Sequence, residues 1–198
     1  MPCTWCGEPI AKSGARGRTA RYCSGRCRVA ACRFRARVPA ELASEDRWVR
    51  HSRKRPVTTA GRAASSTNPR TWTSLTNADA STVGDGIGFV LNGDGIACID
   101  IDHCLRPDGS LEPWASRLLR DVPPTWIEVS PSRTGLHVWG IATVGAGRML
   151  KMPNGGGVEV YDRGRYITVT RDPFGKCPRK LADLTDVVDQ LLDRKDTA

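Results

Sequence analysis

The clearest pattern in the chain lies between residues 86 and 170, where short apolar runs alternate with clusters of Gly, Pro, Asn, Asp and Ser. Runs of this length, rich in β-branched and aromatic residues and bounded by turn formers, read as strands. They fall at residues 86–91, 95–102, 126–130, 136–139, 158–161 and 165–170, with an earlier alternation at 48–51. Asn92-Gly93-Asp94-Gly95 suits a hairpin joining the first two of these runs, because its residues tolerate positive φ. The rhythm of Trp114, Leu118 and Leu119 predicts a helix over residues 111–121, stopped by Pro123-Pro124. A further amphipathic helix is expected over 181–192, and a short one is expected to open at Asn68-Pro69 and run through Leu75 and Ala78. Strands interspersed with few helices predict an α+β fold.

One strand ends unlike the others. In Ile99-Asp100-Ile101-Asp102 the carboxylates are two residues apart and share a face, while the isoleucines point into a core. A lone Asp-x-Asp is more often a solvated strand end than a metal site, so what accompanies it decides. Paired carboxylates suit Mg²⁺ or Mn²⁺, the ions of phosphoryl and nucleotidyl transfer. Two further stretches supply company. Pro131-Ser132-Arg133-Thr134-Gly135 offers hydroxyls, backbone amides and a cation ahead of His137, groups that suit a triphosphate. Glu159 and Tyr161 share one strand face, and Glu159 is either a third acid for metals or a partner for Arg165.

Charge changes the picture at the front of the chain. Residues 1–72 hold 16 Lys and Arg against 4 Asp and Glu, whereas residues 73–198 hold 14 against 17, within a total of +9. A basic front end suits a polyanion such as nucleic acid. Residues 12–37 contain nine basic residues and no acidic one. The cluster Arg50, His51, Arg53, Lys54, Arg55 follows, its ends able to reach phosphates, with His51 itself read as a surface residue. No run of about 18 apolar residues and no apolar leader occurs, so a cytoplasmic protein with no membrane span is expected.

The cysteines are clustered as well. Cys3-x-x-Cys6 and Cys23-x-x-x-Cys27 have the internal spacings that let four thiolates hold one tetrahedral Zn²⁺. A module of under about 40 residues lacks the area to fold on apolar burial alone. Structural zinc would contribute on the order of 10–16 kcal/mol. Ser24 is placed to cap a helix through Arg28, Ala31 and Arg37. Cys32, about 140° around that helix from Cys27, is left out of the site, and Cys98 and Cys104 read as buried packing thiols.

Taken in order, Asp100-Ile101-Asp102, the turn ending Gly135-Leu136-His137, Glu159-x-Tyr161 and Arg165-Tyr166-Ile167-Thr168-Val169-Thr170 resemble the three catalytic motifs of the archaeo-eukaryotic primase superfamily. Ala64-Ser65-Ser66-Thr67-Asn68-Pro69-x-x-Trp72 and Gly86-Ile87-Gly88-Phe89-Val90 are similar to its bifunctional primase-polymerase branch. The resemblance covers residues 47–175. It implies an RRM-like antiparallel sheet backed by helices, a smaller N-terminal α/β part, and an active site between them. Residues 1–38 would be a zinc module, 39–46 a linker, 47–180 the catalytic domain, and 181–198 a C-terminal helix and tail.

The resemblance further implies two divalent ions, Mg²⁺ or Mn²⁺, on Asp100, Asp102 and Glu159. His137 would contact the phosphates of the incoming nucleotide, with Ser132, Arg133, Thr134 and Arg165 nearby. The expected partners are a single-stranded DNA template and primer, nucleoside triphosphates and a separate replicative helicase. The implied function is template-directed primer synthesis and extension in phage- or plasmid-type replication. Many superfamily members carry Asp where this chain has Glu159. Two other readings stay open: a nucleic-acid-binding regulator that works through its zinc module, and a metal-dependent nuclease.

Overall fold

A computed structural model of the chain describes residues 2–3, 6–10, 20–35 and 38–193, with the side chains of 31–35 outside that description. Two compact units are present, Met1–Val38 and Pro39–Ala198. In the first, the Cys3 amide donates to the Glu8 carbonyl at 2.7 Å and the Gly7 amide to the Cys3 carbonyl at 3.0 Å. This closes a turn that needs Gly7 at φ 78°. Helix α1 (Gly25–Arg35) follows. Ser24 Oγ accepts from the Cys27 amide at 3.2 Å and so caps it. Of the expected cationic stretch, Lys12, Arg16, Arg18 and Arg37 lie outside the described residues, as does the side chain of Cys32.

The second unit is α+β. Residues 39–46, expected as a connector, contain the single turn α2 (Ala40–Ala43), whose Leu42 is fully buried. Its carbonyl accepts from Trp48 Nε1 at 3.2 Å. A first antiparallel sheet is built from β1 (Trp48–Ser52), β2 (Arg55–Val57), β3 (Gly86–Asn92) and, much later, β9 (Arg163–Val169), in the order β2-β1-β3-β9. The expected short helix from Asn68 divides into a 3₁₀ turn at Pro69–Thr71 and α3 (Leu75–Ala80). Thr73 between them is held extended by amide-to-carbonyl bonds of 2.9 Å in both directions with Trp48.

The second sheet holds β4 (Ile96–Asp102), β6 (Leu136–Ile141), β7 (Arg148–Lys151), β8 (Gly157–Tyr161) and β10 (Ala182–Asp183) in the order β10-β6-β4-β8-β7. Short β5 (Ile127–Val129) pairs with β6, and only the β10 pairing is parallel. Helices α4 (Pro113–Arg120) and α5 (Thr185–Asp193) cover one face. There Trp114, Ala115, Leu118, Val187, Val188 and Leu191 pack on Ile99, Ile101, Val138, Val158 and Val160. Alternation along β4 sends Ile99 and Ile101 to that apolar layer and leaves Asp100 and Asp102 on the opposite face. Cys98 and Cys104 are fully buried. The sheets meet through Phe89, edge-on to Trp48 at 5.1 Å and to Trp139 at 6.0 Å.

Two expectations are corrected. Residues 92–95 do not make a hairpin, because β3 pairs with β1 and β9 while β4 pairs with β6 and β8. The turn chemistry is present, with Gly93 at φ 86° and Gly95 at φ 100°, but it serves a corner between sheets. Buried Arg47 secures that corner by bonding Asn92 Oδ1 and pairing with Asp94 at 2.8 Å. Residues 162–164 act alike: Asp162 is buried and accepts from the Val144 amide at 3.1 Å, and the chain passes from β8 into the other sheet. Finally, the C-terminal helix starts at Thr185, because the Ala182 amide donates to Thr125 Oγ1 at 3.0 Å and holds β10 extended. Among the described residues, no helix is long and apolar enough to cross a membrane.

Candidate active site

The strand register sets five side chains in one line across the second sheet. Glu128 on β5 faces His137 on β6, His137 faces Asp100 on β4, Asp100 faces Glu159 on β8, and Glu159 faces Met149 on β7. Residues directly opposite in antiparallel strands project from the same face, so all five lie on one side of the sheet. Burial falls off along the line. Glu128 is 0% exposed, His137 4% and Met149 61%. Asp102, exposed and two residues along β4, stands opposite Gly157.

The dry end is tightly bonded. The Glu128 carboxylate accepts from Trp139 Nε1 at 3.2 Å, the Thr170 amide at 3.1 Å, Thr170 Oγ1 at 3.3 Å and the Arg171 amide at 2.8 Å. Both carboxylate oxygens are thus hydrogen-bonded within the core. His137 stands between two acids, with Nδ1 3.5 Å from Glu128 Oε1 and Nε2 3.7 Å from Asp100 Oδ1. Burial opposes charging the ring, but the flanking Glu128 and Asp100 outweigh it and raise the His137 pKa.

Asp100 is the strained member. Burial pushes its carboxyl up to about 6, with Asp102 and Glu159 acting in the same direction against His137 and Lys54. Its Oδ1 is buried and has no hydrogen-bond partner. An under-satisfied carboxylate beside two more acids is relieved by a proton or a cation, and an all-oxygen donor set matches a hard divalent ion. Glu159 shares the face, and its Oε2 accepts from Tyr161 Oη at 2.7 Å. Among the described residues, the set of three or more such side chains whose ligand atoms gather tightly is a different one, the cysteines.

A cavity of about 470 Å³ opens over this end of the sheet. His51, Arg53, Lys54, Ser130, Ser132 and Tyr166 line it, and it reaches Asp100, Asp102 and His137. Arg53 and Lys54 form the β1–β2 turn, both left-handed at φ 47° and 64°. The Arg53 amide is anchored to Asp85 Oδ2 at 2.7 Å. Such backbone costs of order 1–3 kcal/mol per residue and persists where the surroundings impose it. His51, expected at the surface, is half-buried, and burial lowers its pKa. No local signal marks it, since it reaches the cavity only through the pairing of β1 with β3. Glu128 was likewise legible only as a strand residue.

Three expected contacts lie outside the cavity. The turn closed by the Arg133 amide on the Ser130 carbonyl puts Arg133 at φ 64° and turns its side chain outward, where it pairs with Asp172 at 3.0 Å. Thr134 Oγ1 is 3.0 Å from Ser132 Oγ without lining the space itself. Arg165 lies over the Tyr161 ring at 5.0 Å, beyond Glu159.

In the first unit, the ligand sulfurs of Cys3, Cys6, Cys23 and Cys27 lie within 4.8 Å of one another. Cys23 Sγ is 3.5 Å from both Cys6 and Cys27. Hydrogen bonding with the Cys27 and Cys6 thiols pushes the Cys23 thiol up to about 12. The cluster has the ligand number, chemistry and spacing to hold zinc.

No family model matches the chain. It is similar to a phage protein. The DNA primase-polymerase of Nitratiruptor phage NrS-1 is 36% identical over 138 aligned residues, which take in 63% of this chain and 18% of that protein. The chain therefore spans less than a fifth of the length of the relative it matches.

Proposed function

We propose that this chain is a template-directed DNA primase-polymerase module that transfers nucleotides from triphosphates to a 3′-hydroxyl. The observation that carries the reading is the line His137, Asp100, Glu159, with Asp102 beside it, next to a cavity lined by Arg53, Lys54 and Ser132. The likeness to a phage primase-polymerase supports it independently.

Asp100, Asp102 and Glu159 would hold Mg²⁺ or Mn²⁺, which supply charge neutralisation at the triphosphate and acidify the attacking hydroxyl. Glu159 reaches such an ion by turning from Tyr161 Oη, and its longer side chain gives it that reach. His137, held on its far side by Glu128, presents Nε2 to a phosphate oxygen. Lys54 and Arg53 bind the outer phosphates, and Ser132 hydrogen-bonds them. In this reading the second sheet is the RRM-like platform, the first sheet belongs to the smaller N-terminal part, and residues 1–38 are a zinc module that grips template. A replicative helicase as partner and a phage- or plasmid-type replication setting complete the reading.

The test offers primed and unprimed single-stranded templates with labelled nucleotides and Mg²⁺ or Mn²⁺. Extension by wild type and its loss in Asp100→Ala/Asp102→Ala, with DNA binding unchanged, are expected. A wild type that neither initiates nor extends with either metal would falsify the reading.

A further inference from the structure

We infer that the open part of the second sheet, from Asp102 across Gly157 to Lys151 and from Glu159 to Met149 with Arg165 alongside, seats the 3′-terminal segment of a single-stranded nucleic acid. The inference rests on the nucleotidyl-transfer reading for the direction of the strand. The surface itself rests on geometry.

The acids form a seam between two unlike spaces. On one side is the cavity, which reaches Asp100, Asp102 and His137 and carries Lys54, Arg53 and Ser132. On the other side the face is open. Met149 is 61% exposed, and Lys151 and Arg165 are exposed as well. Register places Lys151 opposite Gly157 and Gly157 opposite Asp102, so a strip of bare backbone separates a cation from an acid. A Cβ built on Gly157 would meet nothing closer than 3.9 Å, which leaves the strip as an unobstructed furrow.

In-line displacement requires the attacking and leaving oxygens on opposite sides of the phosphorus. The cations and hydroxyls suited to a polyphosphate line the cavity, so the leaving pyrophosphate departs there. The attacking 3′-oxygen then comes from the open face. It bonds to the α-phosphorus as the bond to the bridging oxygen breaks, and the hydroxyl proton leaves to solvent on the open side.

The chemistry of the face fits that occupant. Lys151 closes the furrow at Gly157, and Arg165 lies over Tyr161 beyond Glu159; both are exposed cations that serve as phosphate contacts. The exposed, adaptable thioether of Met149 offers apolar contact to a base, while the Tyr161 ring holds Arg165 above it at 5.0 Å. Arg165 thus serves the acceptor strand rather than the incoming nucleotide.

The test measures binding of a fluorescent single-stranded oligonucleotide with a free 3′-hydroxyl to the full chain, against salt, in wild type, Lys151→Gln and Arg165→Gln. A nucleoside triphosphate titration is run in parallel, and melting curves verify folding. Each variant is expected to weaken oligonucleotide binding severalfold and to reduce the slope of log affinity against log salt by about 0.7. Triphosphate binding stays at the wild-type level. A photoreactive base at the 3′ end is expected to crosslink to Met149. Unchanged oligonucleotide affinity and salt slope in both folded variants would overturn the inference, as would a loss confined to triphosphate binding. If the wild type extends no primer yet the oligonucleotide results hold, the surface stands and the polymerase reading falls.

Discussion

The cysteine cluster and the acid line are both candidate metal centres, and they are built in opposite ways. Four soft ligands come from two short segments, residues 3–6 and 23–27, and their sulfurs gather within 4.8 Å. The acid line draws one residue from each of several strands that are distant in sequence, and only the register of β8, β4, β6 and β5 aligns them. In the first case local spacing creates the site, and the metal would create the fold around it. In the second the fold exists regardless of any ion, and it holds Asp100 in an unfavourable state that an ion would relieve. A site made by its metal and a site merely completed by one should fail differently.

The largest effect should come from the thiols. Cys23→Ser/Cys27→Ser, or a strong chelator, is expected to unfold residues 1–38, because a zinc contribution on the order of 10–16 kcal/mol exceeds what so small a module can bury. Hydrogen exchange would show lost protection in α1 and unchanged protection in β4. Metal analysis finding no zinc in freshly purified protein would remove the contrast altogether.

Glu128→Ala is next. It strands donors from Trp139, Thr170 and Arg171 and leaves His137 beside a void, and removing one member of such a buried network costs about 3–5 kcal/mol. Chemical denaturation should show this loss with or without divalent ions. Glu128→Gln, which keeps the volume, should cost about 1–3 kcal/mol. Equal stability of Glu128→Ala and wild type would mean that the dry end of the line does not support it.

Asp100 provides the pH test. Its carboxyl titrates at about 6 in the fold and near 3.8 when unfolded. Between those values the folded chain binds the extra proton, so stability should fall as pH rises from about 4 to about 6 and stay lowered above. Partial exposure limits the loss to about 2 kcal/mol. Asp100→Asn should flatten this part of the stability profile. Mn²⁺ should raise the melting temperature more at pH 7 than at pH 4.5, where protons compete for the carboxylates. A metal effect of the same size at both values would show that the ion binds elsewhere.

The smallest effect belongs to Arg133. It pairs with Asp172 in the open, where such contacts contribute under about 1 kcal/mol. Arg133→Ala should leave stability within about 0.5 kcal/mol. Nucleotide affinity should change little, whereas Lys54→Ala should lower it clearly in the same titration.

The elements themselves were readable where the pattern was local. Apolar alternation marked β1, β3, β4, β5, β6, β8 and β9, and Ser24 marked the start of α1. Missed were β2, β7 and β10. Arg148–Lys151 has only one buried residue, Leu150, and so carries no alternation to detect. Ala182–Asp183 is extended only because Thr125 and β6 hold it. Turn residues correctly marked where the chain changes direction at 92–95. They could not indicate whether the next strand joins the same sheet, which depends on partners far along the chain, as with Ile87 and Val169.

Sequence by itself determined the ligand chemistry: four thiols at zinc spacing, two aspartates on one strand face, a histidine after a hydroxyl-rich turn. Those follow from residue type and from periods of two or a few residues, which are short-range properties. Tertiary structure alone decided that Glu128 supports His137, that His51 and Lys54 share the cavity with Asp100, and that Arg133 and Arg165 do not. These are matters of register and sheet pairing, in which the burial of the whole core selects one alignment among many that the local pattern permits.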